Sequence, residues 1–424
     1  MQYTKIVGGN GLEGEVPISG SKNACLPIIA ATLLTHETCI LHNVPDLTDT
    51  SHMLEIIRYL GSKVQRLEKN SWSITAQQVN YQAPRESAGR LRASVCLMGA
   101  LLGRKKQAIV PIPGGCNLGA RPIDLHLRAF ETMGVTIKMQ EEQVYLSAKN
   151  LRGTTLSMEG PRGSTVTGTA NLIMAAVLAE GITTIQQASK EPEIGDLCHF
   201  LVQMGTKIHG IGTETLTIEG VDTLYGTEFT IQPDRMEAGT FIILGLLCGN
   251  SIAVTGTQRI FLQSALCGLF DAIPHMGEYC HWENDTLHVS HAEKMPPFSI
   301  QTRPYPGFPT DLQPQITVLA SQIVGTSYIC DTIFPERFAH VTEFKKFGMH
   351  IEQRTGAIYV HGRTKLQGTS VQAMDLRAGG ALYLAGLTAH GETTIRGVEY
   401  VDRGYEHFET KLRALGATIE RMEA

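Results

Sequence analysis

The feature that most constrains this chain is a short pattern that returns six times. It is a large apolar residue, a glycine, two variable residues and, in most copies, a β-branched residue. The copies read "LGSKV" from Leu60, "MGVTI" from Met133, "MGTKI" from Met204, "MGEYC" from Met276, "FGMHI" from Phe347 and "LGATI" from Leu415. Their glycines, at 61, 134, 205, 277, 348 and 416, lie 73, 71, 72, 71 and 68 residues apart. Self-similarity at one period marks a supersecondary unit used repeatedly. An amphipathic helix precedes the glycine, as in "TSHMLEIIRYLG" and "GYEHFETKLRALG", with apolar residues every three or four positions. The glycine suits the left-handed residue that ends such a helix. Strands with period-two alternation follow, as in "TLTIEG" and "AIYVHG".

A second set of helices keeps the same period. "NLIMAAVLAEG", "TFIILGLLCGN" and "ALYLAGLTAHG" are apolar nearly all round, which predicts burial on every face. Strands such as "ITTIQQA", "SIAVTGT" and "ETTIRGV" follow them. Each unit therefore reads strand, helix, strand, helix and further strand, an α/β fold class. A chain of 424 residues exceeds what one hydrophobic core organises. Six units in two domains give three per domain, with three apolar helices inside a shell of sheets. The midpoint falls near "IQPDRMEAGT", so residues 22–234 are expected to form one domain, and residues 1–21 with 235–424 the other.

Composition narrows the function. A net charge of -5, with 18% charged residues, argues against nucleic acid or an anionic membrane as partner. No apolar run is long enough to span a bilayer. The opening "MQYTKIVGGN" lacks the apolar core of a secretion signal, so a cytoplasmic protein is expected. The nine cysteines fall mostly in apolar contexts such as "LLCGN", which predicts reduced, buried thiols. With no C-x-x-C or H-E-x-x-H, no dedicated metal site is indicated. "GNGLEG", from Gly9 to Gly14, matches the dinucleotide fingerprint G-x-G-x-x-G. That fingerprint must open a helix, whereas "EVPIS" with Pro17 continues as a strand. A hairpin is the expected use of these glycines.

Two segments concentrate chemistry. In "SGSKNACLP", Lys22 and Asn23 fall at the start of a buried helix, where free N–H groups favour anions. A capping Asn or Ser beside an exposed Lys is the plain alternative. In "PGGCNLGARP", Cys116 sits among Gly114, Gly115 and Gly119, a loop able to open and close. A structural thiol, a nucleophile and a proton donor compete there. His126 and Asp124 raise a Cys-His-Asp hydrolase, but residues two apart on the helix "RPIDLHLRAFETMG" point to different sides.

"GGNGLEGEVPISGSKNACLP", "RLRAS", "PGGCNLGARPIDLHL", "YPGFPTDLQPQ", "TIFPERFAH", "DLRAGGAL" and "VDRGYEHFETKLRALGA" together resemble the enolpyruvyl transferases, above all those acting on UDP-N-acetylglucosamine. The matches run from Gly8 to the C-terminus. The resemblance implies a two-domain inside-out α/β barrel, three repeats per domain, with the active site in the cleft between them. It implies transfer of the enolpyruvyl group of phosphoenolpyruvate to the 3-hydroxyl of UDP-N-acetylglucosamine, with release of phosphate and no metal or organic cofactor. Carried over position by position, Lys22, Asn23, Arg121 and Arg403 would hold phosphoenolpyruvate. Arginines suit its carboxylate and phosphate because they bind such groups bidentately. Asn23, Arg92, Arg121, Pro122, Ile123, Asp124, Leu125, Thr165, Val166, Asp311 and Ile333 would contact the sugar nucleotide. Asp311 would face the reacting hydroxyl, although "TDLQPQ" also makes it a candidate helix cap. Asp375 and Arg377 would form a polar pair near the reacting centre, where the plain alternative is a surface salt bridge.

The same resemblance makes Cys116 a proton donor, consistent with relatives that carry Asp there, and the residue alkylated by fosfomycin. A thiol near cations titrates close to neutrality and can give or take a proton. The chain departs from the family in "MEGPRGSTVTGTANLIMAA": Thr165 stands where Ser is usual, Thr167 where Gly is usual, and the upstream stretch is about three residues longer. Contacts of Arg162, Gly163, Ser164, Thr165 and Val166 stay open on that account. Tyr400 replaces a common His. Asp234 and Arg235 fall, like Lys22, where the chain is expected to cross between domains. The competing functions are a shikimate-3-phosphate enolpyruvyl transferase, a nucleic-acid-end enzyme of related fold and an inactive paralogue that only binds.

Overall fold

The structure is a computed structural model and describes residues 2–112, 114, 122–161 and 163–423. The described residues divide into two compact units, one from Gly20 to Gln232, the other reaching to Ser19 and resuming at Pro233.

Both units are built from one motif. Each four-stranded sheet contains one parallel and two antiparallel pairings. Thr155–Ser157 pairs parallel with Ile182–Gln186, which pairs antiparallel with Thr215–Glu219, which pairs antiparallel with Lys207–His209. Ser299–Gln301, Gly325–Cys330, Ala357–Gly362 and His350–Arg354 repeat this order. A buried helix links the parallel strands, and an amphipathic helix follows. The sheet of Gln107–Pro111, Gln143–Ser147 and Thr136–Gln140 has three strands, its parallel partner reduced to a bridge between Gln82 and Ile109.

The apolar helices are inside, as their composition dictates. In the Gly20–Gln232 unit they are Lys22–Ala31, Leu97–Lys105 and Val166–Ala176. In the other unit they are Arg235–Cys248, Gln313–Ser321 and Leu376–Thr388. Every residue of Gln313–Ser321 is buried, and all but the last of Arg235–Cys248. Burial on every face is favourable only if helices cover one another, and Gln313–Ser321, Leu376–Thr388 and Arg235–Cys248 pack together.

Two expectations need correction. Gly61, Gly134, Gly205, Gly348 and Gly416 do adopt positive φ at helix ends, but Gly277 does not. In that copy the left-handed residue is His275, at φ 57°, and Gly277 lies inside the short helix Met276–Tyr279. The strands flanking "GNGLEG" are not a hairpin. Gln2–Gly8 pairs antiparallel with Gly391–Arg396 and Thr418–Glu423, while Leu12–Pro17 pairs parallel with Gly249–Thr255. Each completes a different sheet, because the strands they pair with lie more than 230 residues away and leave no local trace. Of the nine cysteines, eight are described; all are free thiols, with Cys25, Cys39, Cys96 and Cys198 buried and the rest partly exposed.

Candidate active site

In the Gly20–Gln232 unit the first buried helix begins at Lys22. Ser21 caps it, its hydroxyl accepting from Ala24 N at 3.3 Å. Lys22 is buried rather than exposed, and its Nζ lies 2.6 Å from Asp49 Oδ2, itself buried on the helix Thr48–Tyr59. Asn23, the next helical residue, faces solvent. A buried ammonium needs such a partner, since desolvation without one costs several kcal/mol.

The second buried helix is entered through a 3-10 turn, Arg92–Cys96, with Arg92 half-buried at its start. The third, Val166–Ala176, is capped by Thr165, whose hydroxyl accepts from Gly168 N at 3.2 Å. Pro122, Ile123, Asp124 and Leu125 form the entry to the helix Asp124–Thr132, with Asp124 exposed and Ile123 buried. His126 points inward from that helix and bonds Asn171 and Thr167. Its burial, and secondarily the charge of Arg92, pushes its pKa down to about 3, so it is neutral at ordinary pH. The ring nitrogens of His126 are engaged by Asn171 and Thr167 and not by Asp124, so these two residues do not form the His–Asp half of a Cys-His-Asp triad.

The other unit holds the carboxylate chemistry. Asp311 lies in the 3-10 turn Thr310–Leu312 that leads into Gln313–Ser321, and it caps neither element. Its carboxylate instead receives two guanidiniums: Arg337 Nη1 at 2.8 Å on Oδ1 and Arg377 Nε at 3.0 Å on Oδ2. Burial alone would raise the Asp311 pKa, but Arg377 and Arg337 outweigh it and hold the carboxyl well below the usual carboxylate range. The side chain keeps 29% exposure, so an ionised acceptor is presented to solvent. Arg377 and Arg337 keep only 1% and 3%.

Asp375 and Arg377 are not a surface ion pair. Asp375 caps Leu376–Thr388, accepting from Arg377 N at 2.9 Å and Ala378 N at 3.0 Å, while the Arg377 guanidinium goes to Asp311. That guanidinium also lies 5.4 Å from the ring centre of Tyr405, whose hydroxyl is held by Thr240 at 3.0 Å and Gln315 at 2.9 Å. Ile333 follows the buried Asp331, which accepts from Ile333 N at 3.0 Å and Phe334 N at 2.8 Å and so fixes that turn. Arg403 ends the 3-10 helix Val398–Arg403 and is half-buried. Asp234 caps Arg235–Cys248, accepting from Met236 N at 2.8 Å and Glu237 N at 3.0 Å. Cys116, Arg121 and Arg162 lie outside the described residues.

The Gly20–Gln232 unit thus holds a lysine paired with a buried carboxylate, and the other unit an acid held by two buried arginines. Residues 6–412 match the family model for EPSP synthase (3-phosphoshikimate 1-carboxyvinyltransferase). This chain belongs to the EPSP synthase family. Among curated relatives of this family member, it is 44% identical over 422 residues to a UDP-N-acetylglucosamine 1-carboxyvinyltransferase of Methylacidiphilum infernorum, covering 100% of this chain and 99% of the relative. It is also 44% identical to the protein of that name from Magnetococcus marinus, with all of both chains covered. Among solved structures, the enolpyruvyl transferase NikO from Streptomyces tendae superposes with a TM-score of 0.91 at 24% identity, covering 100% of this chain and 99% of that one. EPSP synthase from Acinetobacter baumannii gives 0.73 at 18%, with both chains fully covered. At these identities the two structures speak for the fold, which is the enolpyruvyl transferase fold.

Sequence reasoning missed Arg337, Asp49, Asn171 and Asp331, and weighed His126 only as a triad member. Arg337 was the most legible, since it is the one basic residue in "TIFPERFAH" beside a histidine. The others signal themselves only through contacts made across the fold.

Proposed function

We propose that this protein is a carboxyvinyl transferase that moves the enolpyruvyl group of phosphoenolpyruvate to the 3-hydroxyl of UDP-N-acetylglucosamine and releases phosphate. The observation that carries this reading is 41–44% identity, over whole chains, to relatives bearing that activity in their names. The residues suit the chemistry. A proton is added to the methylene carbon of phosphoenolpyruvate, which leaves a cation-like centre at the carbon bearing the phosphate. The sugar hydroxyl attacks that centre and gives up its proton. Loss of a proton from the new methyl group and cleavage of the carbon–oxygen bond to phosphate restore the double bond.

Lys22, Arg121 and Arg403 neutralise the phosphate and carboxylate of phosphoenolpyruvate, and Asn23 hydrogen-bonds to it. Arg92, residues 122–125, Thr165, Val166 and Ile333 take the nucleotide sugar. Asp311 accepts the hydroxyl proton. A carboxylate held this far down is a weak base, so it orients the hydroxyl first and takes the proton only as the oxygen gains positive charge in the attack. Asp375 and Arg377 support it. Cys116 supplies the proton to the methylene carbon. The reaction feeds peptidoglycan precursor synthesis in the cytoplasm, and through it cell shape and division.

The test is phosphate release from phosphoenolpyruvate with each acceptor in turn. Release with UDP-N-acetylglucosamine and none with shikimate 3-phosphate is expected; the reverse pattern overturns the reading. Incubation with fosfomycin and UDP-N-acetylglucosamine should leave an adduct on the Cys116 peptide by mass spectrometry. An unmodified peptide removes Cys116 from this role.

A further inference from the structure

Thr167 stands where the family resemblance leads one to expect glycine, in the segment proposed above to take the nucleotide sugar. Its hydroxyl meets a chain of hydrogen bonds whose directions are all fixed by the backbone. Gly99 N–H donates to Asn171 Oδ1 at 2.7 Å, and Asn171 Nδ2 donates to Val95 O at 2.8 Å. A backbone N–H can only give and a carbonyl can only accept, so the Asn171 amide cannot be flipped. Its second N–H therefore points at His126 Nδ1, 2.9 Å away, and that nitrogen must accept. The His126 proton is then on Nε2, which faces Thr167 Oγ1 at 3.3 Å and donates to it.

A threonine in a helix usually spends its hydroxyl proton on the carbonyl one turn back. Thr169 does this, donating to Thr165 O at 2.8 Å. Thr167, the second residue of the helix, has no helical carbonyl one turn back, and His126 is its hydrogen-bond partner among the described residues. Its proton is thus available outward, at the second residue of a helix whose first N–H groups have no acceptor within the helix. Arg92 adds a positive charge close enough to act on His126. Among the described residues, a hydroxyl donor and the uncapped N–H groups of Val166 and Thr167 lie at one helix start, near enough to Arg92 for its charge to act on His126.

We propose that Thr167 is a substrate-specificity residue whose hydroxyl donates to the diphosphate of the nucleotide sugar, and that Asn171 and His126 are positioning residues that aim it. The proposal rests on the function proposed above. A glycine at this position would leave only backbone groups to face the ligand. This chain adds a side-chain donor, and the relay keeps the donor from turning inward.

The test begins with the parent enzyme, because no turnover with UDP-N-acetylglucosamine would sink the functional reading rather than this one. Given parental turnover, Thr167→Val should raise KM for UDP-N-acetylglucosamine roughly ten-fold, the worth of one hydrogen bond to a charged group, with a much smaller change in kcat. KM for phosphoenolpyruvate should move little, and Thr167→Ser should restore the parental value. Unchanged KM in Thr167→Val, or no rescue by Thr167→Ser, overturns the role of the hydroxyl. The relay has its own readout: imidazole nitrogen shifts should show His126 protonated on Nε2 and bare on Nδ1 near neutral pH. A proton on Nδ1 overturns the aiming, whatever the kinetics.

Discussion

The two units begin their buried helices alike and charge them differently. In the Gly20–Gln232 unit the side-chain caps are neutral hydroxyls, Ser21 and Thr165. In the other unit they are carboxylates, Asp234 and Asp375. The middle helix of each unit lacks a side-chain cap and is entered through a 3-10 turn; that turn carries Arg92 in one case and Asp311 in the other. A hydroxyl cap satisfies an N–H group without cancelling the positive end of the helix, whereas a carboxylate does both. One repeated backbone thus gives a unit whose side-chain caps are hydroxyls and a unit whose side-chain caps are carboxylates. What differs is a handful of residues at equivalent helix starts.

The largest effect should come from Asp311→Asn. It removes the acceptor for the hydroxyl proton, and turnover should fall about 10²- to 10⁴-fold. It also leaves Arg337 and Arg377 buried with half their compensation, at a cost of about 3–5 kcal/mol in denaturant unfolding. Retained turnover would show that the acidic unit does not supply the acceptor, and the contrast between the units would lose its functional meaning.

Asp196 sharpens the same contrast from the other side. It sits buried on the helix Pro192–Gln203 in the hydroxyl-capped unit and accepts from Gln232 N at 3.2 Å. Burial pushes its pKa up to about 7, opposed by that hydrogen bond and reinforced by Glu193. Asp311 moves the opposite way because it has two guanidiniums. A carboxyl raised in the folded state holds a proton that the unfolded chain releases above about pH 4, so stability drains away as pH rises from there to about 7. Asp196→Asn should remove this loss, stabilising the protein by up to about 4 kcal/mol above pH 7 and little near pH 4. Parallel stability curves for the two proteins across that window would show Asp196 to be ionised and paired, and the contrast with Asp311 would fail.

Thr165→Asp converts one unit's cap into the other's. Asp caps at least as well as Thr, so unfolding should shift by less than about 0.5 kcal/mol. The added charge meets an anionic ligand at the same helix end, so KM for the sugar nucleotide should rise about ten-fold. An unchanged KM would place the diphosphate elsewhere.

These contrasts were only partly legible in the sequence. Period and helix composition exposed the repeat because each copy must bury an apolar helix and then stop an amphipathic one. Five of the six glycines do that stopping; at Gly277 the backbone found another left-handed residue, which no glycine pattern can register. Lys22 and Asp311 were visible as types. Their partners were not: Asp49 lies on the next helix, and Arg377 is 66 positions from Asp311. Nor was the direction of the Asn171–His126 bond, which spans 45 positions and is set by two backbone groups on a third segment.

The smallest effect separates what the two kinds of cap share from what they do not. Thr165→Ala and Asp375→Ala each leave helix N–H groups without an acceptor, so each should lower stability by about 1 kcal/mol. Only Asp375 also contributes charge, set against its helix and against Arg337, whose protonated form it favours. Charge interactions at a partly exposed residue weaken with ionic strength, since the Debye length falls from about 10 Å at 0.1 M salt to about 3 Å at 1 M. The cost of Asp375→Ala should therefore shrink as salt is added, while that of Thr165→Ala stays constant. Measured in urea, where the denaturant itself adds no ions, equal salt responses would mean that the carboxylate acts as a hydrogen-bond acceptor alone. The units would then differ in cap chemistry but not in electrostatics.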